Sequence, residues 1–171
     1  MERRKNQDNI RYMVTAAAMA ALVFVLTAFL HIPTAQGYIH IGDGIIYIAA
    51  SILPLPYAIA ASAIGAGLSD YISGFAVWVL PTVIIKSLTV LCFTSKKEKI
   101  INKRNIAAVI TAFIICVGGY YLFAALIYGS FISPVADIPT NCIQSGASSA
   151  LFVFLGLALD KTGVIKKTLK K

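Results

Sequence analysis

Charge is scarce in this sequence. Of its 171 residues 13% are charged and 58% are hydrophobic, whereas an average soluble domain carries roughly 25% charged residues. Half the usual solubilising charge cannot cover a globular surface in water, which excludes a free soluble domain. Catalytic signatures are absent as well. There is no GxSxG, no HExxH and no glycine loop of the phosphate-cradling kind. The two histidines, His31 and His40, share one loop without the spacing of metal ligands. No metal or cofactor is therefore expected, and the chain is read as not an enzyme. Without a Walker motif, any energy for transport must come from ions or from another protein. The three cysteines, Cys92, Cys116 and Cys142, form no CxxC pair and are odd in number, so they are read as small buried hydrophobes.

Basic residues are missing from three places. The connections at residues 31–42, 73–76 and 128–138 contain no Lys or Arg. All fifteen basic residues except Lys86 fall in three clusters: Arg3, Arg4, Lys5 and Arg11; Lys96, Lys97, Lys99, Lys103 and Arg104; Lys161, Lys166, Lys167, Lys170 and Lys171. The formal charge of +8 therefore flanks a bilayer and implies no nucleic-acid partner. The positive-inside rule makes the three clusters cytoplasmic, with both termini inside and an even number of crossings.

What is present is apolar sequence in long runs. A bilayer core about 30 Å thick needs about 20 helical residues, and most runs approach that length. The expected fold is an all-α membrane protein, a compact bundle of six transmembrane helices at about 12–30, 43–53, 57–73, 76–93, 106–127 and 138–160. They form a single membrane domain over residues 1–171 in the cell membrane. The first run follows Arg3, Arg4 and Lys5 but is too long for a signal-peptide core, and is read as a retained helix. The second is short. Pro54-Leu55-Pro56 ends it after eleven residues, about 16 Å at 1.5 Å per residue. Lipid does not tolerate irregular backbone, so the remaining depth points to an outward pocket beside the 31–42 loop, with that loop as a lid.

Several polar residues interrupt the apolar runs. Asp43, Asp70 and Lys86 lie within spans, where ionisable groups face a cavity or a partner. Lys86 is too deep to snorkel easily; pairing with Asp43 or Asp70, and contact with a ligand, are both open. An N-cap role is also open for Asp43. In the last helix, Asn141, Gln144, Ser145 and Ser148 fall within about 100° of one another, and two carboxamides suit a heteroaromatic ring or a polyol. Trp78, Tyr120 and Tyr121 offer stacking surface. In helix one, Ala16, Ala17, Ala20 and Ala21 make a smooth strip, which serves internal packing or docking of a partner.

Three segments then resemble a known family. The runs Ile41-Gly42-Asp43-Gly44-Ile45-Ile46-Tyr47, Gly67-Leu68-Ser69-Asp70-Tyr71-Ile72-Ser73-Gly74 and Trp78-Val79-Leu80-Pro81-Thr82-Val83-Ile84-Ile85-Lys86 are similar to the S components of energy-coupling factor (ECF) transporters. Gly119-Tyr120 and Ile138-Pro139-Thr140-Asn141-Cys142-Ile143-Gln144 continue the resemblance, as does the alanine strip. It implies a six-helix subunit that binds a water-soluble vitamin under a lid made by the first external loop. It also implies that Ala17 and Ala21, then Ala16 and Ala20, meet a transmembrane coupling protein joined to two ATPases. The branch most similar takes hydroxymethylpyrimidine, pyridoxine-like or deazapurine compounds. Pro54-Leu55-Pro56, where relatives often carry Gly-Pro, departs from the pattern without removing the turn. The residues put forward for the substrate are Asn141, Gln144, Tyr120, Trp78, Asp70, Lys86, Asp43 and His40. An intramembrane enzyme acting on a lipid-linked substrate and a stand-alone secondary carrier are the alternatives. The first lacks a nucleophile–base pair, and the second lacks inverted repeats.

Overall fold

A computed structural model describes residues 2–34 and 37–163, with side chains from residue 6 onward and not at residue 37. Of the basic clusters, Lys166, Lys167, Lys170 and Lys171 lie outside the described residues. Six α-helices follow in order: α1 (Glu2–Ala28), α2 (Gly42–Ile52), α3 (Leu55–Ile72), α4 (Val79–Cys92), α5 (Lys103–Tyr128) and α6 (Ile138–Thr162). By length and composition, Asn6–Ala28, Lys103–Tyr128 and Ser133–Thr162 are each long and apolar enough to cross a membrane, and Gly42–Ile52 and Ala76–Cys92 are shorter apolar helices.

The 31–42 connection is not an irregular loop. It contains an antiparallel hairpin, β1 (His31–Thr34) and β2 (Gly37–His40), with His31 opposite His40 and Pro33 opposite Tyr38.

The bundle is built around its shortest helix. α1 packs on α3, α3 on α4, α4 on α5 and α5 on α6, while α2 touches α1, α3, α4 and α6. Every residue of α2 is buried, as its unbroken apolar run requires. Tyr47 of α2 stacks on Phe93 at 4.9 Å between centroids, and Phe93 meets Phe152 of α6 at 5.5 Å. α2 stops because Leu53 is extended, and Pro54 then opens α3 with Pro56 in its first turn, where a proline costs no hydrogen bond.

Small residues set the closest helix pair. A Cβ on Gly65 would lie 2.6 Å from the Ala20 carbonyl oxygen and 2.8 Å from Val23 Cβ, so α1 and α3 touch backbone to backbone there. Ala16 and Ala20 of the alanine strip belong to this seam, Ala16 fully buried and Ala20 partly so, whereas Ala17 and Ala21 face outward.

At the end away from the hairpin, polar groups are densely paired. Asn102 caps α5 by accepting from the N–H groups of Arg104 and Asn105. Fully buried Asn105 donates to Ser51 Oγ, Thr94 O and Ile100 O and accepts from Thr94 N–H. The Asp160 carboxylate accepts from Ile100 and Ile101 N–H at 2.8 and 2.9 Å. Together they pin the α4–α5 connection against α2 and α6.

Candidate functional site

A cavity of about 90 Å³ opens at the hairpin end. Five elements converge on it: the hairpin from above, the last turn of α3, the start of α4, the middle of α5 and the start of α6. Each brings a different chemistry.

The hairpin contributes Thr34, Tyr38 and His40. Tyr38 donates its hydroxyl to Asp70 Oδ1 of α3 at 2.5 Å. Its ring lies against Phe75 at 5.2 Å and His31 at 4.7 Å. Burial, and next the Asp70 charge, hold the Tyr38 phenol well above its ordinary range. His40 Nδ1 accepts from Gly42 N–H at 3.1 Å, so its neutral ring carries the proton on Nε2. Burial lowers the His40 pKa to about 4.

The walls are aromatic and amide. Trp78 and Tyr120 line the cavity 6.0 Å apart, and Tyr120 exchanges a hydrogen bond with Thr82 Oγ1 at 3.0 Å. Asn141 and Gln144, one turn apart on α6, both line it. Asn141 donates to the Asp137 carbonyl at 3.1 Å. Gln144 is 4% exposed, and no group among the described residues hydrogen-bonds its amide.

Of the eight proposed substrate residues, Asn141, Gln144, Tyr120, Trp78, Asp70 and His40 meet at this cavity. Asp43 and Lys86 do not line it. They form an ion pair one layer deeper, Nζ to Oδ2 at 2.8 Å, each side chain 1% exposed. Asp43 is not the N-cap of α2; that position is Ile41 and carries no side-chain cap. Lys86 Nζ also reaches Cys116 Sγ at 3.3 Å and lies 4.9 Å from the Tyr120 ring centroid. The pair thus braces the cavity's aromatic wall from behind.

Other residues of the amide face and the aromatic set are used elsewhere. Ser148 donates to the His40 carbonyl at 3.5 Å, whereas the Ser145 hydroxyl is buried off the cavity with no hydrogen-bond partner. Tyr121 turns away to donate to the Phe131 carbonyl. Conversely, Thr34, Tyr38, Phe75, Thr82, Ala124, Asp137 and Thr140 line the cavity without having been singled out in the sequence. Tyr38 and Asp137 carried a usable signal: each is a polar residue in a connection free of basic charge, next to a helix that contributes to the site.

A family model described as "ECF-type riboflavin transporter, S component" matches residues 7–161 of the chain. No curated protein matches it.

Proposed function

The chain belongs to the ECF-type riboflavin transporter S component family, and we propose that it captures a small, flat, water-soluble heteroaromatic compound beneath its hairpin for uptake. S components are the substrate-binding membrane subunits of transporters that also contain a membrane coupling subunit and ATPases; the family is one of transport subunits rather than enzymes. The observation that carries the ligand class is the pairing of stacking surface with unspent amide chemistry. Tyr38, Phe75, Trp78 and Tyr120 supply the first, and Gln144 and Asn141 supply donors and acceptors to a ring's edge.

Size favours one or two rings. At 10–15 Å³ of such space per water, about 90 Å³ holds roughly six to nine waters, the room of a pyrimidine, pyridine or deazapurine derivative. Riboflavin, the compound in the family's description, is the second reading, and its three fused rings require the hairpin to lift further. In this reading Ala17 and Ala21, exposed on α1, meet the coupling subunit, and both termini are cytoplasmic.

Calorimetry on the detergent-purified chain tests the proposal. The panel contains pyrimidine, pyridine and deazapurine compounds, riboflavin, and an aliphatic vitamin as control. One of the one- or two-ring compounds is expected to bind most tightly. Asn141→Ala and Gln144→Ala are each expected to weaken it five- to a hundredfold, the equivalent of about 1–3 kcal/mol for stranding a buried partner. Tightest binding of the aliphatic compound, or unchanged affinity in both variants, rejects the site.

A further inference from the structure

The charges around the cavity do not balance. Asp70 and Asp137 line it, and no Lys or Arg does. Asp70 is 7% exposed. One of its carboxylate oxygens holds Tyr38, and the other, Oδ2, is buried with no hydrogen-bond partner. The only buried cation among the described residues, Lys86, is already neutralised by Asp43 at 2.8 Å. Arg11 pairs with Asp8 and Lys86 with Asp43, and no ion pair among the described residues joins Asp70 or Asp137 to a cation.

Buried charge is stable only when paired. A buried carboxyl without a partner otherwise holds its proton; a cation in the cavity would let buried Asp70 ionise, with half-buried Asp137 beside it. The cavity's aromatic walls agree with that assignment, because the faces of Trp78, Tyr120, Tyr38 and Phe75 attract a cation electrostatically. Bare stacking on a neutral ring needs neither carboxylate. We propose that the cavity selects a flat ring compound bearing a protonated amine and refuses anionic analogues of the same ring. In this arrangement the ammonium sits between the two carboxylates. The ring stacks on the aromatic wall, and its heteroatoms meet Gln144, Asn141 and the Nε2–H of His40. The inference rests on the ring-binding reading above and narrows it.

Matched pairs of compounds separate the two claims. Pyridoxamine, pyridoxine and 4-pyridoxate differ in carrying an aminomethyl, a hydroxymethyl or a carboxylate group on one ring. The 5-aminomethyl and 5-hydroxymethyl forms of 4-amino-2-methylpyrimidine make a second pair. Titrations follow the emission of Trp78, the chain's single tryptophan, with calorimetry as a check. The aminomethyl form of the better-bound ring is expected to bind roughly ten- to a hundredfold more tightly than its hydroxymethyl form, the range for charge-assisted hydrogen bonds. The carboxylate is expected not to bind. Asp137→Asn, and separately Asp70→Asn, which keeps an acceptor for Tyr38, are expected to lower that preference, at least one of them about tenfold.

Hydroxymethyl compounds binding as tightly as their aminomethyl partners overturn the amine selection while the ring-binding reading stands. So does a preference that survives both Asn substitutions. If none of these compounds binds and no deazapurine or riboflavin of the calorimetric panel binds either, the ring-binding reading itself falls and takes this inference with it; if only the latter bind, the amine selection is overturned and the ring-binding reading stands.

Discussion

The two ends of the bundle handle buried polarity in opposite ways. At the α4–α5 connection every prominent polar group is consumed inside the protein: Asn105 makes four hydrogen bonds, Asn102 caps a helix, and Asp160 holds two backbone N–H groups. At the hairpin end, cavity-lining Asp70 keeps an unpaired Oδ2 and the Gln144 amide lines the cavity unused. Both ends are polar, so polarity alone does not mark the site. What marks it is unsatisfied polarity beside open space: Asp43 Oδ1, Tyr47 OH and Ser145 Oγ are also unpaired but line no cavity, whereas Asp70 and Gln144 do.

Between these ends lies the Lys86–Asp43 pair, and breaking it is expected to have the largest effect. Lys86→Met leaves a buried carboxylate alone, at a cost of about 3–5 kcal/mol. The expected outcome is a large fall in thermal midpoint in detergent, partly reversed by adding Asp43→Asn. A variant as stable as the parent means the pair is not structural. At the well-paired end, Asn105→Ala strands several buried groups at about 1–3 kcal/mol each. It should lower the midpoint, yet the folded fraction should bind ligand with unchanged affinity. An affinity change there blurs the contrast between the ends.

At the hairpin end the signs reverse, stability moving little and binding moving more. Tyr38→Phe removes a hydrogen bond to a charged group, about 1.5–3 kcal/mol, and is expected to speed ligand release with little change in midpoint. Stopped-flow dissociation measures it. His40 adds a pH dependence. Its pKa falls from 6.5 to about 4 when the hairpin is closed, so closure is fully supported above about pH 6.5. It weakens by up to tenfold per unit as pH drops toward 4. Trp78 emission without ligand should follow that curve and stay flat above pH 7. Least disturbed in stability and affinity should be Ala17→Leu with Ala21→Leu. These residues face outward, so binding is expected to persist while uptake in cells is lost; binding lost in step with uptake makes the strip internal packing.

The helices were legible in the sequence because long apolar runs leave few choices, and Lys86 was legible as a cation in need of a partner because it alone stands apart from the basic clusters, although its partner, Asp43 or Asp70 or a ligand, was not. The hairpin was not. Its strands are four residues each, too short for an alternation to emerge from His-Ile-Pro-Thr and Gly-Tyr-Ile-His. Helix ends shifted for a local reason: Asn102 starts α5 three residues before the apolar run begins. Asn141 and Gln144 could be grouped by helical phase alone, but the same phase also gathered Ser145 and Ser148. Which members of a face reach a cavity depends on what packs above them, here the hairpin, whose position no local pattern encodes. Tyr38 and Asp137 carried a signal as polar residues in connections free of basic charge, but not one that said they meet.

One consequence of the hairpin concerns its edges. A two-stranded ribbon has both edges free, an invitation to a third strand from another chain. β1 carries Pro33, which removes a main-chain donor in the middle of a four-residue strand and suits an edge that must stay unextended. A hairpin built this way is poorly suited to acquire a third strand from another copy in the same membrane.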